Sequence, residues 1–355
     1  MKRFLIINPF GIGDVLFTTA VIRAIKDSCP DSFIGYWCNE RVGGALKNNP
    51  DINVIFSLSR GDLKKIFNSS VPHGLKELFR LFISIKKRRF DISLDFSLDH
   101  RYSLLTKLAG IRTRVGLDYK NRGRFLTHKI GVEGYKLKHI VEYYLDLLKF
   151  TAIKPKTNTL KINIPKEHKA RSRNILARYG VKEDDFIVGI APGAGASWGK
   201  DATYKHWAAI KFAQLADRLV NNLGAKVVIL ADQLERPIAD VMVNTMKNKP
   251  VDLTGRTSLE ELMAMISNLS ILVTNDGGPL HIASSLGIKT VSIFGPVDEK
   301  VYGPYPLSSR HIVIKKDLEC RPCYENFRFK GCANERKCIE DVSVDEVYQA
   351  VASLK

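Results

Sequence analysis

The segment Asn8-Pro9-Phe10-Gly11-Ile12-Gly13-Asp14-Val15-Leu16-Phe17 follows an apolar run at residues 4–7. A short strand that enters a Gly-x-Gly turn and leaves into a helix is the opening of a phosphate-binding βα unit. Two departures set this copy apart. Leu16 stands where the third glycine of G-x-G-x-x-G belongs, and Asp14 stands where the helix begins. A carboxylate repels a phosphate, so the turn has the shape of a phosphate site and the wrong charge for one. Asp14 reads either as a helix cap, for which Asp is among the best residues, or as a group with chemical work to do.

The pattern continues outward from that turn. Strands are expected at residues 33–37, 54–56 and 91–96, with helices near 15–26, 75–87, 102–108 and 137–150. Strands of four to six residues alternating with helices predict a parallel, doubly wound sheet. A polar segment at 151–169, rich in Lys, Pro and Asn, reads as a linker. The alternation then repeats, with strands at 186–190, 226–230, 271–274 and 289–294 and helices near 206–223, 259–266 and 279–286. Ser343, with Asp345 and Glu346 behind it, caps a closing helix over 342–354. The expected architecture is α/β, two Rossmann-like doubly wound domains facing a central cleft. Their expected extents are residues 1–165 and 166–340, with a C-terminal helix over 341–355.

At 355 residues the chain exceeds one ordinary core. Its 45% apolar and 26% charged residues are those of a globular protein and exclude disorder. No apolar run approaches the roughly 18 residues of a membrane span. Four apolar residues ahead of Asn8-Pro9 are too few for a signal peptide, so a cytoplasmic location is expected. The net charge of +18 is unevenly spread: residues 1–165 hold 29 Lys and Arg against 14 Asp and Glu, and the rest hold 26 against 23. That asymmetry suggests an anionic partner for the first half, such as nucleic acid, a phospholipid surface or a phosphorylated substrate. The basic half carries no nucleic-acid module or aromatic-basic motif, so nucleic acid is not expected.

Three turns of the second half are rich in small residues: residues 191–200 (APGAGASWGK), 253–261 (LTGRTSLEE) and 274–283 (TNDGGPLHIA). Each follows an expected strand, and ligands of open α/β sheets sit beyond the carboxyl ends of strands. Glycines admit a ligand close to the backbone, and Pro279 at a helix start leaves the neighbouring N–H groups pointing outward. Three such turns in one domain point to a phosphate-bearing ligand. Lys205-His206-Trp207 is expected to open the following helix, where Lys205 is either a surface lysine or a mobile charge for a diphosphate. Glu235 is placed to accept hydrogen bonds from a ribose, and a lone His281 is more often a packed or capping residue than a catalyst. No D-x-D occurs in the chain, so a catalytic divalent metal has no obvious ligands.

These segments, read with residues 289–306 (KTVSIFGPVDEKVYGPYP), resemble glycosyltransferase family 9, the bacterial heptosyltransferases, in order along nearly the whole chain. The resemblance implies the GT-B architecture and inverting, metal-independent transfer of a heptose from ADP-heptose to a lipopolysaccharide inner-core acceptor, with another nucleotide-sugar or acceptor glycan as the alternative. By position it implies Asp14 as general base and Lys205 as the lysine on the leaving diphosphate. It also implies a donor site of Gly193, Ser197, Lys205, Glu235, Thr254, Gly255, Asp276, Gly277, Gly278 and His281. Acceptor contacts are expected from Gly11, Gly13, Asp14, Arg101, Arg122 and Arg124. No cofactor is implied beyond the nucleotide-sugar substrate. The implied partners are that donor and an anionic lipopolysaccharide-type acceptor, with peripheral contact at the cytoplasmic face of the inner membrane.

Cys320, Cys323, Cys332 and Cys338 form C-x2-C-x8-C-x5-C. This is a possible structural zinc site, but the spacings differ from the common ribbon, and thiols packing a loop are the preferred reading. Disulfides are not expected in a reducing compartment. Finally, Leu75, Leu78, Phe79, Phe82 and Ile85 recur at helical spacing ahead of a basic cluster at 86–89. Their expected role is packing on the sheet, leaving the basic cluster with Arg101, Arg112, Arg114, Lys120, Arg122 and Arg124 for an anion.

Overall fold

The structure is a computed structural model that describes residues 1–355, apart from the side chains of Ala196 and Ser197. The chain divides into two compact units, Met1–Asn163 and Ile164–Lys355. The first is built on β1 (Arg3–Ile7), β2 (Phe33–Cys38), β3 (Val54–Ser57), β4 (Ile92–Asp95), β5 (Thr113–Asp118) and β6 (His128–Gly131). These form one parallel sheet in the order β3-β2-β1-β4-β5-β6. Helices cover both faces of such a sheet, so its central strands read as continuous apolar runs. Phe4, Leu5, Ile6 and Ile7 of β1 are all fully buried.

The second unit repeats the plan with β7 (Ile187–Ala191), β8 (Lys226–Ile229), β9 (Val251–Asp252), β10 (Ile271–Asn275), β11 (Lys289–Phe294) and β12 (His311–Lys315). Its order is β12-β11-β10-β7-β8-β9, the same topology seen from the other edge. Both sheets therefore have the Rossmann order 3-2-1-4-5-6, and the fold class is the expected one. In each sheet the strand order reverses beside the first strand, between β1 and β4 and between β7 and β10. Crevices for ligands open at that reversal, outside the carboxyl ends. The turn carrying Asp14 and the turns at 192–207 and 276–281 all emerge there.

Four strands of these two sheets lie outside the expected set, as does a short antiparallel hairpin of Tyr324–Glu325 with Arg328–Phe329. β6 (His-Lys-Ile-Gly) is a mostly exposed edge with one apolar residue, so it has no apolar run to read. β9 is two residues long, and β5 carries an arginine and a glycine among its apolar residues. β12 holds the run Ile312-Val313-Ile314 at the opposite edge of its sheet. Ladder hydrogen bonds to an already formed neighbour, rather than local propensity, make these segments strands.

The polar segment after residue 151 is strapped to the first unit. Lys161 donates its backbone N–H to Thr19 Oγ1 at 3.0 Å and its ammonium to Asp51 at 2.7 Å. Arg23 reaches Thr159 at 2.5 Å, and Ile153 and Leu160 are buried. Helix Lys166–Arg178 then begins the second unit. The closing helix Val344–Leu354 starts at the expected Ser343, in a capping box with Glu346.

Helix Val71–Lys87 departs from expectation. It buries Gly74, Leu81 and Ile85, whereas Leu75 and Phe79 are 57% and 64% exposed. The apolar periodicity was real, but the sheet covers only one edge of it. The basic group also separates. Arg112 and Arg114 stand at the amino end of β5, and Arg114 donates to the carbonyls of Ile111, Arg112 and Phe125, so it is not open to an anion.

Candidate active site

In the first unit the chain leaves β1 at Asn8, which is fully buried. Its side-chain amide donates to the Asp14 carbonyl at 3.1 Å, and its oxygen accepts from Phe10 N–H at 3.2 Å. Asn39 donates to the carbonyls of Pro9 and Phe10. Two buried asparagines thus lock the turn that presents the helix Ile12–Ser28. The cap of that helix is Gly11, with no side-chain cap bond, and Asp14 is its third residue. Asp14 is therefore not the N-cap. It is half-buried, and Tyr144 Oη donates to its Oδ1 at 3.4 Å. Burial, Tyr135 and Asp14 itself hold the Tyr144 phenol well above its ordinary value, so Tyr144 remains a donor. Neither Asn8 nor Tyr144 was picked out from the sequence. Tyr144 comes from helix Ile140–Asp146, and only tertiary packing brings it to the turn.

Gly11 and Gly13 flank this turn. Arg101 follows β4 and Arg122 follows β5, at the carboxyl ends of the strands where Asp14 lies, whereas Arg124 adjoins Phe125, whose carbonyl meets Arg114 near the amino end of β5. Arg101 is 3.9 Å from Asp99. Arg122 and Arg124 are exposed and stack on Tyr119 and Phe125 at 5.7 and 5.0 Å. Asp95 closes β4 at this end, in register with Ile7. Its buried carboxylate accepts from Ser97 N–H at 2.9 Å.

In the second unit Asn275, fully buried at the end of β10, ties the first glycine turn together. Its Nδ2 donates to the carbonyls of Pro192 and Gly193 at 2.7 and 3.2 Å, and its Oδ1 accepts from Trp207 N–H at 3.1 Å. Trp207 is fully buried against Phe212 and donates Nε1–H to the Val342 carbonyl at 2.9 Å. Lys205 ends a kinked 3-10 segment, Ala196–Lys205, and the following helix starts only at Ala209. Lys205 is not a surface lysine. Its Nζ pairs with Asp276 Oδ2 at 2.6 Å, with the two side chains 7% and 8% exposed, and lies 4.9 Å over the Trp198 ring. Trp198 in turn packs on Tyr324 and Phe329 of the short hairpin that lies between Cys323 and Cys332.

Glycine lets neighbouring groups come close at two points here. A Cβ on Gly193 would fall 1.8 Å from Glu235 Oε1, and one on Gly277 would fall 3.2 Å from the Ala194 backbone. Glu235 accepts from the backbone N–H of Gly195 at 3.0 Å and of Asp232 at 3.2 Å, so it braces the glycine turn. Thr254 is buried, and Gly255 takes a left-handed φ of 67°. Gly278 opens the eight-residue helix Gly278–Ser285, which carries His281 buried on its second turn. The structure brings Gly193, Lys205, Asp276, Gly277, Gly278 and His281 to one sheet end, with Glu235 against them. The Ser197 side chain lies outside the described residues.

Burial and the Lys205 charge push the His281 imidazole down to about 4, against the pull of Asp276. His206 falls to about 4 through burial, Arg336 and Lys205, and His311 shifts the same way. Above the unfolded value of 6.5 their neutral forms cost nothing. As pH falls from 6.5 towards 4 the unfolded chain binds protons that the fold refuses, so stability drops. Asp95 opposes this. Burial raises it from 3.8 to about 7, so its contribution is present below 3.8 and lost as pH rises through 7. The histidines outnumber it, and the melting temperature is expected to fall between pH 7 and pH 5. A melting temperature that holds or rises on acidification would contradict neutral, buried imidazoles.

All six cysteines are free thiols. Cys323 Sγ donates to the Cys320 carbonyl at 3.1 Å, and Cys332 Sγ accepts from Arg336 N–H at 3.2 Å. Burial and the neighbouring thiols of Cys320, Cys338 and Cys332 push Cys323 up to about 11. Among the described residues no group of three or more His, Cys, Asp or Glu is placed to hold a metal ion. The hairpin's visible task is mechanical, holding Trp198, and Arg336 from the same region donates to the His206 carbonyl at 2.9 Å.

The model of glycosyltransferase family 9 (heptosyltransferase) matches residues 78–333. Lipooligosaccharide heptosyltransferase 2 of Campylobacter jejuni is 26% identical over 361 residues, which cover 100% of this chain and 98% of that protein. The crystal structure of a family 9 glycosyl transferase from Veillonella parvula matches with a TM-score of 0.84 at 24% identity, over 99% of this chain and 97% of that one. The structure of ADP-heptose LPS heptosyltransferase II from E. coli matches at 0.75 and 20% identity, over 100% and 98%. On the family match and the two Rossmann-like sheets together, the chain belongs to glycosyltransferase family 9, the heptosyltransferases, and is a glycosyltransferase of GT-B architecture.

Proposed function

We propose that the chain transfers a heptose from ADP-heptose to the inner core of a lipopolysaccharide, inverting the anomeric carbon and using no metal. The buried Lys205–Asp276 pair carries this reading, because a cation held at the reversal of the second sheet suits a diphosphate leaving group. The name of the E. coli structure supports ADP-heptose as donor. In the proposed reaction Asp14 takes the proton of the acceptor hydroxyl, whose oxygen bonds to the anomeric carbon as the bond to the diphosphate breaks. The departing ADP carries that electron pair. Its charge is met by Lys205 and by the N–H groups at the start of helix Gly278–Ser285.

Asp276 orients the lysine, and Gly193 and Gly277 let the phosphates approach the backbone. Glu235 holds the ribose, and Thr254 and Gly255 border the base. Arg101 and Arg122 bind anionic groups of the acceptor at the cytoplasmic face of the inner membrane. Among the described residues no helix is long and apolar enough to cross a membrane.

Purified enzyme is to be incubated with a deacylated inner-core acceptor and, separately, ADP-heptose, GDP-mannose and UDP-glucose, with products read by mass. Product from ADP-heptose is expected. Product from another donor only would overturn the donor assignment, and product from none would overturn the transfer itself. EDTA is expected to leave the initial rate unchanged. A loss restored by magnesium or manganese would refute metal independence.

A further inference from the structure

Helix Val71–Lys87 leaves an unusual surface. Val71, Leu75 and Phe79 are 58%, 57% and 64% exposed, and their four-residue spacing sets them in one line. Half-buried Phe82 and Ile83 extend the line. Monomeric proteins scatter exposed apolar residues singly, and a contiguous row marks an interaction surface. Around the same helix Lys76 and Lys87 border the apolar arc on its solvent side, and Lys86 sits 5.7 Å over the Phe82 ring. Arg80 stands in that basic border too, paired with Glu77, the one acid of the helix, at 2.7 Å. The preceding helix Arg60–Ser69 adds exposed Lys64 and Lys65.

We infer that this helix docks the first unit on an anionic bilayer, lying in the plane of the surface with Val71, Leu75 and Phe79 among the acyl chains. Lys76, Arg80, Lys86 and Lys87 then meet the lipid phosphates. An apolar arc edged by cations is the chemistry of an interfacial helix. Charge selects this occupant over a second copy of the chain. A symmetric contact would set the same cationic border against itself, whereas a bilayer of anionic lipid complements it, as it does the 29 Lys and Arg against 14 Asp and Glu of residues 1–165.

The location fits. The helix runs down to the amino end of β4, so Val71 and Leu75 lie towards the carboxyl ends of the strands. Arg60, at the start of the preceding helix, pairs there with Asp99 at 3.2 Å. That end also carries Asp14 and Arg101. The inference rests on the proposal that the acceptor is lipid-linked, since docking would present that mouth to the membrane surface.

The full chain is to be sedimented with vesicles of phosphatidylethanolamine and phosphatidylglycerol, and with phosphatidylcholine alone. Binding to the anionic vesicles only, weakened at about 0.5 M salt, is expected. Leu75→Ser/Phe79→Ser should reduce that binding at least about tenfold, because the lost apolar burial drives insertion. Both positions are exposed and away from the proposed site, so transfer to the deacylated acceptor should be unchanged. Reversing residues 86–89 to acids should weaken vesicle binding and leave nucleotide affinity intact. Binding that is absent in the wild type, or equal in the serine variant, overturns the inference. So does a wild-type dimer that the serine variant dissolves, which would make the row a self-association surface. Vesicle binding without transfer would sink the proposed reaction and leave the docking helix standing.

Discussion

Asp14→Asn is expected to slow sugar transfer at least about a hundredfold while the protein stays folded, because a positioned general base contributes ~10²–10⁴ in rate. The amide keeps the shape of the side chain and can still meet the Tyr144 hydroxyl, but it cannot take a proton at neutral pH. Asp14 sits at the third position of its helix and Gly11 provides the cap, so little capping energy is at stake. ADP should bind the variant as it binds the wild type, because the proposed nucleotide contacts all come from residues 193–281. A reaction that needs an ionised base slows in acid, so the wild-type rate should fall on the acidic side and the variant should lack that limb. A folded variant with near-normal transfer would show that the base lies elsewhere.

Lys205→Ala is expected to damage both fold and rate. Its ammonium is buried against Asp276, and removing one partner of a buried pair leaves a stranded charge, at a cost of about 3–5 kcal/mol. Losing a positioned donor at a leaving group costs a further ~2–4 kcal/mol in the barrier. The two effects can be separated. Lys205→Met/Asp276→Asn removes both charges at similar volume, so urea denaturation should recover most of the lost stability while transfer remains slow. If the double variant regained activity as well, the lysine would be structural. A single variant with wild-type stability would contradict the burial of the pair.

The sequence carried the parts that depend on near neighbours. Strand and helix alternation was visible as local periodicity, and the Asn8–Asp14 turn was visible because its glycines, its aspartate and the strand before it are contiguous. The capping box at Ser343 is likewise a four-residue event. The donor turns could be listed for the same reason. Their meeting could not, since Lys205 and Asp276 are joined only because β7 and β10 pair side by side and Asn275 stitches their loops. Tyr144 reaches Asp14 across 130 residues, with no local signal to announce it. Edge strands such as β6 escaped because their partners supply the stabilisation. The helix at Val71 shows the same division from the other side. Spacing alone marks which residues share a face, but whether Leu75 and Phe79 are covered depends on how far the neighbouring sheet extends, and here it stops short of them.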